Sequence, residues 1–227
     1  MKHYISNSTK STVRHAFHPS KNLVIGSIAV LAIAGALFLL LQKSPDEKAE
    51  QRSANTSRAL GQRAAEEVAQ LLGNKGQIAV YSLEIGPRKI PRFAEEMTIF
   101  EQTLNKHGVK IAATKAMPGG LNMLMLGARP SPKDYEELLD QAPGASAVVS
   151  FVGPPNLSLE DFQKLQAHRP PLIVVNTFVV TSQAALSAMI EAKAVALAFV
   201  PLTPSEIESE KQQPKLFDRS YKILRAP

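Results

Sequence analysis

One unbroken apolar stretch, Leu23 to Leu41, precedes a long alternation of short apolar runs and amphipathic segments. The stretch (LVIGSIAVLAIAGALFLLL) holds no charged residue and lies between Lys21 and Lys43. At about 1.5 Å of rise per residue it makes a helix of roughly 28 Å, a match for a hydrocarbon core of about 30 Å. The pattern predicts a single-pass signal anchor over residues 23–41. Leu41-Gln42-Lys43-Ser44 offers no small-x-small cleavage site, which favours a retained anchor over a cleaved signal peptide. A mitochondrial presequence would suit the Ser/Thr-rich, acid-free N-terminus, but Arg14 is the one arginine before the span.

Beyond Pro45 the texture changes twice. Residues 42–58 are polar, without apolar periodicity, and read as a stalk. From Ala59 the spacing of Leu60, Ala64, Val68 and Leu71 predicts a helix stopped by Gly73. Strands are predicted at Gln77–Leu83, Val109–Ala113, Ser146–Val152, Pro171–Val175 and Ala194–Val200, with a short edge strand at Tyr221–Leu224. Between them lie helices at Phe93–His107, from Pro132 to Gln141, from Ser158 to Ala167 and at Ser182–Ala192. Ser131-Pro132-Lys133-Asp134 sets an N-cap before a proline at the first helical position. The segment 116–130 fits neither template well; its length suits an extra strand joined to the second by a hairpin. The expected organisation is a basic tail (1–22), the anchor (23–41), the stalk (42–58) and a soluble domain (59–227). Alternating strands and helices make that domain a three-layer α/β/α, Rossmann-like unit with a mainly parallel sheet of five or six strands.

The runs QIAVYSLEIGP, GVKIAAT, GASAVVSFVGPP and PPLIVVNT, each followed by a helix, resemble one lobe of the type I periplasmic sugar-binding-protein fold. Flavodoxin-like and receiver-like domains share this texture. A receiver phosphoacceptor needs Asp after the third strand, where Gly153-Pro154 stands instead. The resemblance implies a fold whose strands end in polar loops facing a ligand. Those binding proteins close two lobes on their ligand, and residues 59–227 suffice for one, so sugar binding is not implied.

Charge sharpens the picture. The net charge is +6, but residues 1–45 carry five Lys/Arg and no acid, so the soluble part is near neutral. The excess belongs beside a membrane, and a nucleic-acid partner is not expected. The short acid-free tail reads as the cytoplasmic end, with the domain outside (periplasmic in a bacterium). There is no cysteine, which excludes disulfides, thiolate metal sites and a cysteine nucleophile.

Candidate chemistry is sparse. There is no GxGxxG, no GxxxxGK[ST] and no G-x-S-x-G. His107 and His168 each close a predicted helix, without metal-ligand spacing. No catalytic residue, metal or cofactor is expected. In an open parallel sheet ligands bind beyond the strands' C-terminal ends. There Arg88, Lys89 and Arg92 could hold an anion, and Asn156, Asn176 and Thr177 could supply polar contacts. A solvated, proline-stiffened loop explains the basic cluster equally. Leu121, Met123, Leu124 and Met125, bracketed by glycines, are candidates for partner docking or for core. Ala32 and Ala36 give the span a small-xxx-small spacing. The resulting expectation is a non-enzymatic scaffold or interaction component of a membrane or envelope complex, with other envelope proteins or a second copy as partners. The alternative is a small-molecule or anion sensor.

Overall fold

The computed structural model describes residues 45–84, 91–156, 158, 169–176, 181–209 and 215–225. The expected span at 23–41 lies outside these, as does the helix expected from Ser158 to Ala167 apart from Ser158 itself. Among the described residues no helix is long and apolar enough to cross a membrane. The chain divides into two compact units, Met1–Lys48 and Ala49–Pro227, and the second holds the sheet.

The elements run α1 (Pro45–Leu71), β1 (Gly76–Leu83), α2 (Pro91–Lys106), β2 (Val109–Met117), α3 (Gly120–Met125), α4 (Pro132–Gln141), β3 (Ala147–Ser150), β4 (Leu172–Val175), α5 (Gln183–Glu191), β5 (Leu197–Pro201), α6 (Pro204–Ser209) and β6 (Tyr221–Arg225). Six strands form one sheet in the order β2-β1-β3-β4-β5-β6. All neighbours are parallel except β5 and β6. The central strands AVVS and LIVV are wholly buried, as strands covered on both faces must be.

Alternation along β1 separates the layers. Ser82 shares a groove with Phe93 and Met97 of α2, while Tyr81 faces Asp134 and Glu137 of α4. Helices α2 and α4 therefore lie on opposite faces. Right-handed crossovers demand this, because the chain steps one way from β1 to β2 and the other way from β2 to β3.

Three local outcomes differ from the pattern read along the chain. The polar stalk residues from Pro45 onward are helical and continuous with the helix expected from Ala59. Strand β2 runs four residues further than its apolar signal, to Met117, because an edge strand buries little of its outer half. A bulge opposite Ile78 and Ala79 leaves Ala112 as the extra residue. The segment after β2 is a short helix, α3, rather than an added strand.

Helices α1 and α2 cross at very short range. A Cβ at Gly61 would sit 2.3 Å from the Glu96 backbone oxygen. Arg58 donates to Glu95 at 2.7 Å beside this crossing. At the far end of α1, Glu67 is 4 % exposed and accepts from Arg63 at 2.7 Å and from Arg225 of β6 at 2.8 Å. That carboxylate joins the domain's first helix to its last strand.

Alanine raises intrinsic helix propensity over glycine by about 1 kcal/mol, whereas overpacking a core contact costs about 1–3 kcal/mol. Backbone cannot yield as a side chain does, so the clash wins. Gly61→Ala is expected to lower stability by about 1–2 kcal/mol in urea unfolding; an unchanged or raised midpoint would show that the helices separate without cost.

Candidate functional site

The strand order reverses between β1 and β3, so the crevice of a doubly wound sheet opens beyond the C-terminal ends of these two strands. Its parts come from three connections. After β1, the exposed Glu84 accepts from the Gly119 backbone N–H at 3.2 Å. Gly120 has φ 55° and a Cβ there would meet the Glu84 carbonyl oxygen at 2.9 Å, so only glycine lets α3 start this close. After β3, Ser150 donates to the Gly153 carbonyl at 2.6 Å and folds the chain back through buried Pro154 and Pro155. The Asn156 N–H then donates to the Pro130 carbonyl at 2.9 Å. The 118–130 segment thus bridges the ends of β1 and β3 and walls the crevice.

Phe151, just past β3, fixes the neighbouring end of α2. Its ring meets Phe93 edge to face at 6.0 Å and Phe100 at 5.1 Å. Arg92 lies exposed in the first turn of α2. Further along the rim, Tyr221 stacks on Phe217 at 5.9 Å. Burial pushes the Tyr221 hydroxyl up to about 12; the Glu96 carboxylate adds to the rise and the Arg92 guanidinium opposes it.

The structure distributes the expected contacts unevenly. Arg92 and Asn156 are exposed at the rim, as a ligand contact requires. Asn176 is 2 % exposed, and its amide clasps Thr181, donating to the carbonyl at 2.8 Å and accepting from the N–H at 3.4 Å. Its side chain closes a loop. Arg88, Lys89 and Thr177 lie outside the described residues. Of the docking candidates, Leu124 is 2 % exposed and belongs to the core, and Leu121 packs against it. Met123 and Met125 are 45 % and 71 % exposed. Leu126, the last residue of the same apolar run, is the most exposed of the three at 82 %. Its signal was its place between the helix end and Gly127, whose φ is 88°.

A second polar cluster escaped sequence reasoning. Lys115 of β2 meets Asp134 at 3.0 Å and Glu137 at 2.5 Å, both on α4. Asp134 also completes a capping box with Ser131. Hydrogen bonds from Ser131, then from Lys115, hold the Asp134 carboxyl down at about 2. The neighbouring Tyr81 hydroxyl is buried, with no hydrogen-bond partner among the described residues. Burial, then Asp134, raises it to about 12, against Lys115. The cluster pins α4 to β2 and carries no exposed nucleophile. Among the described residues no three His, Cys, Asp or Glu gather in a metal-binding arrangement.

Fold and rim together define a Rossmann-like α/β domain whose strand order switches between β1 and β3. No protein-family model and no curated protein matches the chain. Among solved structures the domain is similar to periplasmic sugar-binding proteins. The arabinose-binding protein AraP of Geobacillus stearothermophilus is 19 % identical, with a TM-score of 0.45 over 63 % of this chain and 45 % of that one. A sugar-binding protein of a sugar ABC transporter from Bacillus halodurans is 15 % identical, with a TM-score of 0.47 over 75 % and 62 %. The fructose-binding periplasmic domain of the hybrid two-component system BT1754 is 12 % identical, with a TM-score of 0.48 over 74 % and 56 %. The chain thus spans less than two thirds of each of these structures.

The Asp134 shift gives a signed pH prediction. Its folded value lies below the usual 3.8, so its stabilisation is present above about pH 4 and is lost as pH falls toward 2. Asp134→Asn is expected to cost on the order of 1 kcal/mol at pH 7 after allowance for solvent screening. The gap to the parent should close between pH 4 and pH 2 in parallel chemical denaturation; a pH-independent gap would refute the assignment.

Proposed function

We propose that residues 49–227 form a non-enzymatic ligand-binding module that takes a small polar or anionic molecule at the β1/β3 crevice. The observation that carries this reading is the reversal of strand order between two strands, with Arg92 exposed in the first turn of the helix that follows β1 and Asn156 exposed after β3. Such a crevice presents backbone groups and a helix N-terminus to a ligand, and an arginine suits a carboxylate or phosphate. In this reading the expected anchor at 23–41 would hold the module at a membrane, facing away from the cytoplasm.

A scaffold role in an envelope complex is the second reading. Exposed Met123, Met125 and Leu126 favour it, since a large apolar cluster on a surface marks an interaction site more often than chance exposure does.

Thermal unfolding of the full chain against sugars, nucleotides and phosphates tests the first reading. A ligand at about a hundred times its Kd should raise the midpoint by roughly 5–10 °C. Arg92→Ala should abolish most of that rise without moving the unliganded midpoint. No response across the panel would sink the ligand reading and leave the scaffold reading standing.

A further inference from the structure

Strand β2 is a sheet terminus, paired along one side only by β1. The opposite terminus is guarded: β6 runs antiparallel, with Lys222 paired to Glu206 and Arg225 paired to Glu67. On β2, among the described residues, the one exposed charge is Lys110 at the start of the strand. Its exposed positions after Lys110 are Ala112, Thr114 and Ala116, all small. The ammonium of Lys115 is drawn to Asp134 and Glu137 on one face, which leaves the edge beyond Lys110 uncharged. An open groove of about 550 Å³ runs beside the strand, walled by Ala94, Met97 and Thr98 of α2. Natural edges are blunted by charge or proline, and the stretch beyond Lys110, which exposes neither, is a template for another strand.

We infer that β2 pairs antiparallel with β2 of a second copy of this chain, about a two-fold axis through Ala113. Ala113 is the midpoint of Val109–Met117, so this register alone pairs all nine residues. It sets Lys110 opposite Ala116, Ile111 opposite Lys115 and Ala112 opposite Thr114. No like charges meet. A register centred half a residue earlier would oppose Lys110 to Lys115, and one centred on Lys115 would oppose the two ammonium groups. The bulge at Ala112 twists the edge, and the small side chains around it give a second backbone room to follow.

The ends of the strand support the same occupant. Past Met117 each chain carries α3 with Met123, Met125 and Leu126 exposed. Before Val109 each chain passes Gly108, whose Cβ position lies 3.1 Å from the Asn74 carbonyl, next to the end of α1 where Leu71 is 50 % exposed. Antiparallel pairing brings the apolar tip of each copy level with this apolar end of the other, and the two-fold repeats the match. An unrelated extended peptide would satisfy the strand edge and leave both apolar ends uncovered.

The absence of cysteine gives a clean test in the full-length chain, gently extracted from membrane. Directly opposed residues of an antiparallel pair lie about 4.5–5.5 Å apart at Cα, inside the disulfide range. Ala113→Cys is expected to cross-link two chains under mild oxidation roughly tenfold faster than Ala116→Cys, which faces Lys110. The double variant Lys110→Cys/Ala116→Cys tests the same register without altering Ala113, and should cross-link as readily. Adding Leu126→Asp should slow both. A dimeric native mass with no cross-link in either variant would place the contact elsewhere, for example in the apolar run, and overturn the proposal. Equal rates for Ala113→Cys and Ala116→Cys, or a monomeric mass, would do the same.

Discussion

The close crossing of α1 and α2 at Gly61 is the constraint on which this domain turns. A mainly parallel sheet must be covered on both faces, and here one face depends on two helices lying almost backbone to backbone. Contact at that range lets Leu60, Ala64 and Val68 reach the sheet while Phe93 and Phe100 close on Phe151. The same crossing fixes where α2 begins, and so where Arg92 stands at the rim. Packing beneath the sheet's surface and geometry at its mouth are one problem with one solution.

The rim itself is built mostly by backbone. Glycines at 119, 120 and 153 take positive φ values and let strand ends, α3 and the loop after β3 approach one another. Side chains then lock the arrangement: Glu84 on Gly119, Ser150 on Gly153, Asn176 on Thr181. Among the described residues, the polar groups nearest the strand ends are largely committed to shaping loops, while Arg92 and Asn156 stay exposed.

The central strands were legible because burial on both faces removes polar residues, leaving runs such as LIVV that need no context. The start of α4 was legible because Ser131, Pro132 and Asp134 each have one local job there. What the sequence hid was relational. The end of β2 carries Thr114, Lys115 and Ala116, which read as loop until a partner on α4 accounts for the lysine. Six residues are too few to show helical periodicity, so α3 resembled a strand. The first turns of α1 are polar all round, and Gly61 carries no local signal because its meaning lies in Glu96, 35 positions away. Buried Leu124 and exposed Leu126 are chemically identical and two residues apart; only the helix's docking separates them.

Helix α1 also has a mechanical meaning. Its 27 residues make a rod of roughly 40 Å, welded to the domain at its far end rather than at its entry. Tension entering at Pro45 would not peel the helix turn by turn from an open end. It would load the Gly61 interlock in shear and then the Arg63–Glu67–Arg225 ion triad, which passes strain to the final strand of the sheet. A pull on α1 therefore has a direct path through the Glu67 carboxylate to β6, the strand at the far edge of the sheet.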